Sequence, residues 1–226
     1  MSPLYPEAAP RIRRSAGRPR SETARLAILD AAYEALLHAP VSEVTTLQIA
    51  KEAGVSTATV YRWWPNKEAL LLSAFLDRIN SELPPNLTGK PLEALRQHVR
   101  NTARFFLSEN GPVVVRLLSA LQDHAALRDE FFRNVLTPQE EEFLPLIRAA
   151  QTAGELPLSL DAGGFLDAVL GPLLARLLAG REAVSEEFAL ATFDYFVAGA
   201  RALGQQAEKA GTEGQANRDQ GAEISS

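Results

Sequence analysis

Between Thr45 and Leu70 the chain reads TTLQIAKEAGVSTATVYRWWPNKEAL, and this stretch leaves little choice of local fold. Thr45 followed by Gln48 has the spacing of a capping box, and Val44 and Ile49 have that of a hydrophobic staple. A helix therefore starts at Thr45. Gly54 ends it, because glycine takes the left-handed conformation that the following turn needs. Ser56 caps a second helix, with Val55 and Val60 placed for a second staple. Pro65 stops that helix, and Asn66 caps a third. Two short helices that cross need small residues where they touch. Ala50 and Ala53 supply them, and Ile49, Val55, Val60 and Trp63 provide an apolar plug beneath. The pattern is a helix-turn-helix.

The outward side of the second helix carries Ser56, Thr57, Thr59, Tyr61 and Arg62. Short hydroxyls, a phenol and a guanidinium reach base edges or phosphates at little steric cost. Duplex DNA is therefore the first partner to test. The formal net charge of −5 opposes this only when taken whole. Residues 1–67 hold nine basic and six acidic side chains, a balance of +3, which leaves −8 for the rest. A basic front serves phosphate while an acidic body favours solubility. Arg11 to Arg20, RIRRSAGRPR, contains five arginines and no acid. Beside a helix-turn-helix it reads as a DNA-reaching arm, with Arg18 and Arg20 stiffened by Pro19 and suited to a narrow minor groove.

Elsewhere the periodicity is helical throughout, with no sustained alternation, so the fold class is all-α. Helices are expected over 21–38, where Leu26, Leu29, Tyr33 and Leu36 form the inner face, and from Asn66 to about Glu82. Further helices are expected over 91–107, 112–124, 126–153, 161–179 and 185–203. Pro138 and Pro145 should kink or divide the third of these five. The domain plan is a flexible basic arm at 1–20 and a DNA-binding domain at 21–66. A ligand-binding and dimerisation domain follows at 67–204, then a disordered polar tail at 205–226. The absence of cysteine excludes disulfides and thiolate metal sites. No signal-peptide pattern opens the chain, and its most apolar stretch, Ala168 to Ala179, is too short to span a membrane. A cytoplasmic location fits.

The stretch resembles the signature of the TetR/AcrR family of bacterial transcriptional regulators. The matching residues are Thr46, Ile49, Ala50, Ala53, Gly54, Val55, Ser56, Val60, Tyr61, Asn66, Lys67, Glu68 and Leu70. The preceding GRPR and first helix match as well, so the specific likeness runs from Gly17 to Leu76. Behind it, the segment from Gly171 to Leu178 resembles part of the penultimate helix in one subgroup. The resemblance implies that Thr46 and Tyr61 contact phosphate. It further implies that Thr57 and Thr59 face bases and that Ala58 touches a thymine methyl. Lys67 would hold phosphate at the positive end of its helix. Trp63 and Trp64 depart from the family, which often has His or Tyr followed by Phe there. Trp64 is expected in the core, and Trp63 either reaches DNA or packs.

The helix at 161–179 has two apolar stripes. One is Phe165, Val169, Leu173 and Leu177; the other is Leu166, Leu170, Leu174 and Leu178. A surface helix of a monomer needs one. The second stripe, with Phe188, Thr192 and Tyr195 of the last helix, is expected to meet a second copy in a homodimer. Such a dimer would place two recognition helices on a near-palindromic operator. Burial of both stripes within one monomer is the alternative. A small-molecule effector site is implied in the body, with Phe75, Phe105, Leu118, Gln122, Phe143 and Phe165 as its candidate lining. Phe106 and Phe131 are also available to line it, and Arg104, Arg116 and His98 are possible anion holders, a solvated position being the plainer reading of each. No cofactor is expected. An enzyme finds no support, since His38, His98 and His124 lack metal-ligand spacing and no nucleophile elbow or phosphate loop occurs. A helical adaptor that binds protein and not DNA is the remaining alternative; it has no need for an arginine arm and a polar recognition face together.

Overall fold

The computed structural model describes the backbone of residues 18–84, 89–180 and 184–223. Every regular element among them is helical. The order is α1 (Arg18–His38), α2 (Thr46–Glu52), α3 (Thr57–Trp63), α4 (Lys67–Glu82), α5 (Pro91–Leu107), α6 (Asn110–Ala120), α7 (Ala125–Phe131), α8 (Thr137–Thr152), α9 (Ala162–Leu178) and α10 (Glu186–Glu223). A short π-helical turn, Phe132–Leu136, joins α7 to α8. None of these helices is long and apolar enough to cross a membrane.

Local chemistry sets most of the boundaries. Asn66 caps α4 by accepting from the Ala69 amide at 2.7 Å, and Asp161 caps α9 by accepting from the Gly164 amide at 3.1 Å. Pro138 explains the π turn. Proline has no N–H and its ring crowds the carbonyl four residues earlier, so the helix widens just before it. Pro145 and Pro172 lie inside α8 and α9. Gly111 lets α6 start against the end of α5: a Cβ there would sit 2.2 Å from the Phe106 carbonyl oxygen.

Two apolar clusters hold the helices together. One joins α1, α2, α3, α4, α6 and α7, with Phe105 of α5, around Ile28, Leu36, Ile49, Leu70, Leu71 and Leu117, all fully buried. The other joins α5, α8, α9 and α10 around Ile147, Phe165, Leu173 and Phe193. Phe106 and Leu177 pack against both. The first cluster crosses the expected boundary at residues 66 and 67 without a break, because α4 contributes to it along its whole inner face.

Three expectations need correction. The first helix begins at Arg18, three residues ahead of Ser21, so Arg18 and Arg20 sit in its opening turn; the rest of the expected arm lies outside the described residues. Ile28 and not Leu26 faces inward, Ile28 being fully buried and Leu26 42% exposed, because the helix packs on α4 and α6 from a slightly rotated face. The division expected at Pro138 is present, the π-helical turn falling just before it, while Pro145 lies inside α8. The segment expected as a disordered tail continues α10 as far as Glu223. Its Ala, Gln, Glu and Lys residues are good helix formers and no proline interrupts them, which outweighs the unfavourable Gly211, Gly214 and Gly221.

Candidate nucleic-acid interface and cavity

The turn between α2 and α3 is built as its residues demand. Thr45 Oγ1 accepts from the Gln48 amide and Gln48 Oε1 accepts from the Thr45 amide, both at 3.2 Å, which closes the capping box. Gly54 is left-handed, with φ of 66°. The Val55 amide donates to Ala50 and the Gly54 amide to Lys51, the two bonds of a Schellman stop. Ser56 Oγ accepts from the Thr59 amide at 3.2 Å and lies 2.9 Å from Thr59 Oγ1. Val44, Ile49 and Val60 are buried beneath, fixing the angle at which α3 leaves the body.

Burial then sorts the residues expected to meet DNA. Ser56, Ala58, Tyr61, Arg62 and Trp63 are exposed on α3 and its cap, while Thr46, Thr57, Thr59 and Lys67 are half-buried at the edges. Tyr61 and Arg62 have no hydrogen bond or ion pair among the described residues. Trp63 is 39% exposed and Trp64 only 7%, their ring centroids 6.3 Å apart. Trp64 is thus the core tryptophan and Trp63 the surface one. Leu47, on α2, is 70% exposed beside this face. Lys67 Nζ donates to the Val41 carbonyl at 2.8 Å, tying the start of α4 to the loop before α2. Two of its three ammonium protons remain for another acceptor.

Where the two clusters meet lies a cavity of about 570 Å³. Phe75, Phe105, Leu118 and Phe143 line it as expected, along with Phe106 and Phe131. Two expected residues do not. Gln122 is exposed beyond the end of α6, and Phe165 is buried edge-on against Phe193, centroids 6.3 Å apart, inside the second cluster. His98, offered as an anion holder with a solvated position as the plainer reading, lines the cavity; Thr102, Phe132 and Glu142 also line it and were missed, since spacing alone does not show which face of α5 or α8 turns inward. His98 is 8% exposed, its ring 4.0 Å from that of Phe143 and its Nε2 3.3 Å from Thr102 Oγ1. Burial lowers its pKa to about 4, so the ring is neutral at pH 7. Burial also pushes the Glu142 carboxyl up.

The dimer stripe is likewise redistributed. Leu170 and Leu174 line the cavity, Leu166 and Thr192 are buried within the second cluster, and Phe188 lies half-buried beneath the Arg176 guanidinium at 3.6 Å. Leu178 and Tyr195 stay on the surface, 49% and 77% exposed. The first stripe is thus largely buried inside the chain, where α5, α6, α8 and α10 pack on α9, whereas of the second only Leu166 is buried.

Three contacts link α6, a cavity wall, to α1. The Tyr33 hydroxyl donates to Asn110 Oδ1, and the Asn110 amide donates to Glu82 at 2.7 Å. Arg116 Nη1 donates to the carbonyls of Leu36 and Leu37, both at 2.8 Å, placing a cation on the C-terminal end of α1. Arg78 lies over the Tyr33 ring at 4.5 Å and pairs with Glu82 at 2.9 Å. Two of the expected anion holders, the exposed Arg104 and the half-buried Arg116, are thus occupied: Arg104 pairs with Glu186 at 2.7 Å.

A capped helix-turn-helix with a polar outer helix, joined to a helical body that encloses a cavity, defines a DNA-binding regulator of the one-chain sensor type. Residues 28–74 match the family of bacterial regulatory proteins named for tetR, and residues 85–196 match the tetracyclin repressor-like C-terminal domain. The chain is 36% identical over 172 residues to the HTH-type transcriptional regulator YdeS of Bacillus subtilis, covering 76% of this chain and 87% of that one. It is 28% identical to AqdR of Rhodococcus erythropolis over 60% of this chain and 65% of that one. Among solved structures, the TetR family regulator SCO0332 superposes with a TM-score of 0.66 at 25% identity, over 78% of this chain and 97% of that one. FadR of Bacillus subtilis, solved with stearoyl-CoA, shares the fold with a TM-score of 0.61 at 19% identity, over 77% and 98%. The chain belongs to the TetR family of helix-turn-helix transcriptional regulators.

Proposed function

We propose that the chain is a repressor that binds a near-palindromic duplex operator as a homodimer and leaves it when a small molecule fills the cavity. The observation that carries this reading is the wiring of one helix to two tasks. Val114, Leu117 and Leu118 of α6 wall the cavity, while Asn110 and Arg116 of the same helix hold α1. An occupant that shifts α6 or the adjoining α4 moves the base on which α3 stands. Binding is then a population shift between a DNA-competent and a released arrangement.

On DNA, Thr57, Ala58 and Thr59 face bases, whereas Thr46, Ser56, Tyr61, Arg62 and Lys67 meet the backbone, with Trp63 beside them. Arg18 and Arg20, at the start of α1, approach the flanking groove. The homodimer uses the apolar surface left on α10, where Tyr195, Phe196 and Leu203 recur at helical spacing, with Leu178 of α9. The test is selection from random duplexes, followed by titration of the winning site with competitor DNA present. Two chains per site, a palindromic consensus and steep weakening with salt support the reading. Failure to enrich any sequence sinks it and leaves the protein-binding adaptor.

A further inference from the structure

Resting on the cavity as the effector site, we propose that the effector is a lipophilic monocation, an apolar or aromatic body carrying one weakly hydrated positive charge, and that Glu142 is the residue that selects it. The cavity wall is mostly apolar, with the rings of Phe75, Phe105, Phe106, Phe131, Phe132 and Phe143 around it. Aromatic faces are negative and attract cations brought within about 6 Å. One formal charge lies in the wall, the Glu142 carboxylate, and no lysine or arginine lines it. That carboxylate has no hydrogen bond or ion pair among the described residues. It is half-buried at the wall, so it has lost part of its hydration and a counter-charge beside it replaces what was lost.

No lysine or arginine lines the cavity to neutralise an anionic ligand, its other polar lining residues Asn80, Thr102 and Asn134 being uncharged. None of the arginines on the walling helices lines the cavity, and four of them are held elsewhere: Arg78 by Glu82, Arg116 by the end of α1, Arg104 by Glu186 and Arg133 by Glu130. His98, the other ionisable lining residue, is neutral at pH 7 and adds no positive charge. Its contact with Thr102 offers a hydrogen-bonding point to a neutral polar atom of the ligand. A metal ion is a poor occupant, because one carboxylate among phenylalanines cannot replace its hydration shell. An organic cation with a dispersed charge loses little hydration and gains both the rings and the carboxylate.

The experiment uses two ions of one shape and opposite sign, tetraphenylphosphonium and tetraphenylborate, with uncharged Nile red as a third probe. Each is titrated into the full chain and into the Glu142→Gln variant by calorimetry or fluorescence. The expected result is that Glu142→Gln weakens the phosphonium about tenfold, the effect of one partly desolvated charge pair, and leaves Nile red unchanged. Borate binding should stay the same or improve in the variant. A phosphonium affinity that ignores Glu142→Gln overturns the proposal. Binding of Nile red without the phosphonium overturns the cation and leaves the cavity as a site for neutral molecules. Failure of all three probes removes the effector reading of the cavity as well.

Discussion

His98 and Tyr61 show how a single side chain is defined by what surrounds it. His98 is neutral because desolvation opposes its charged form, and its folded pKa of about 4 lies below the usual 6.5. The unfolded chain then binds the extra proton first. The histidine's contribution is fully present above pH 6.5 and is lost as pH falls towards 4. At pH 4 it should cost about 3 kcal/mol relative to pH 7. His98→Phe should flatten that part of the stability profile in urea melts at pH 4 to 7. An unaltered acid loss would place its cause elsewhere. Tyr61 is the opposite case, 54% exposed with its hydroxyl unpaired among the described residues. Tyr61→Phe should leave the melting temperature unchanged and weaken binding to all duplex sequences by about fivefold, the worth of one hydrogen bond. A loss confined to particular bases would assign it to base reading.

The short helices α2 and α3 owe their existence to their ends. Seven residues each is far below the length at which an isolated helix is stable in water. The capping box, the left-handed Gly54 and the Ser56 cap satisfy the terminal amides and carbonyls, and Ile49 and Val60 anchor what results. Gly54→Ala meets no steric neighbour but must adopt φ of 66°. It should therefore cost about 1 to 2 kcal/mol, read as a lower melting temperature. Addition of operator DNA should recover part of it, because bound DNA favours the folded turn. This motif was legible because each of its signals is local: a cap and its partner lie three residues apart, and a staple five. The division of α7 from α8 was legible for the same reason, as Pro138 acts on its own turn. The reach of α10 to Glu223 was not. Low apolar content signals an absence of core contacts, and a helix former needs none to continue a helix already nucleated.

Across the whole molecule, the links between α6 and α1 join residues 77 to 80 positions apart. Arg116→Met removes two hydrogen bonds from a cation to the end of α1. It should cost about 1.5 to 3 kcal/mol in denaturant titrations and blunt the release of DNA by an effector. Retention of full release would move the coupling to α4. The exposed apolar stripe of α10 makes a separate prediction. Tyr195→Glu together with Leu203→Glu should give a monomer in sedimentation and abolish tight operator binding, since one head alone makes half the contacts. A dimer that survives would place the interface elsewhere.

The sequence by itself determined the all-helical class, the helix-turn-helix with its caps, and the polar face of α3, because these follow from residues within one or two turns of each other. It also marked Trp64 as core, since that ring follows directly on a helix whose inner face is apolar. Only the tertiary structure decided which stripe of α9 faces the cavity, that Phe165 belongs to the core and Gln122 to solvent, and that Glu142 and His98 share one chamber. A helix that is apolar on two faces reads the same whether its second face meets a ligand, a partner or its own body. The answer depends on how four other helices pack around it, and those contacts span distances along the chain that no local pattern records.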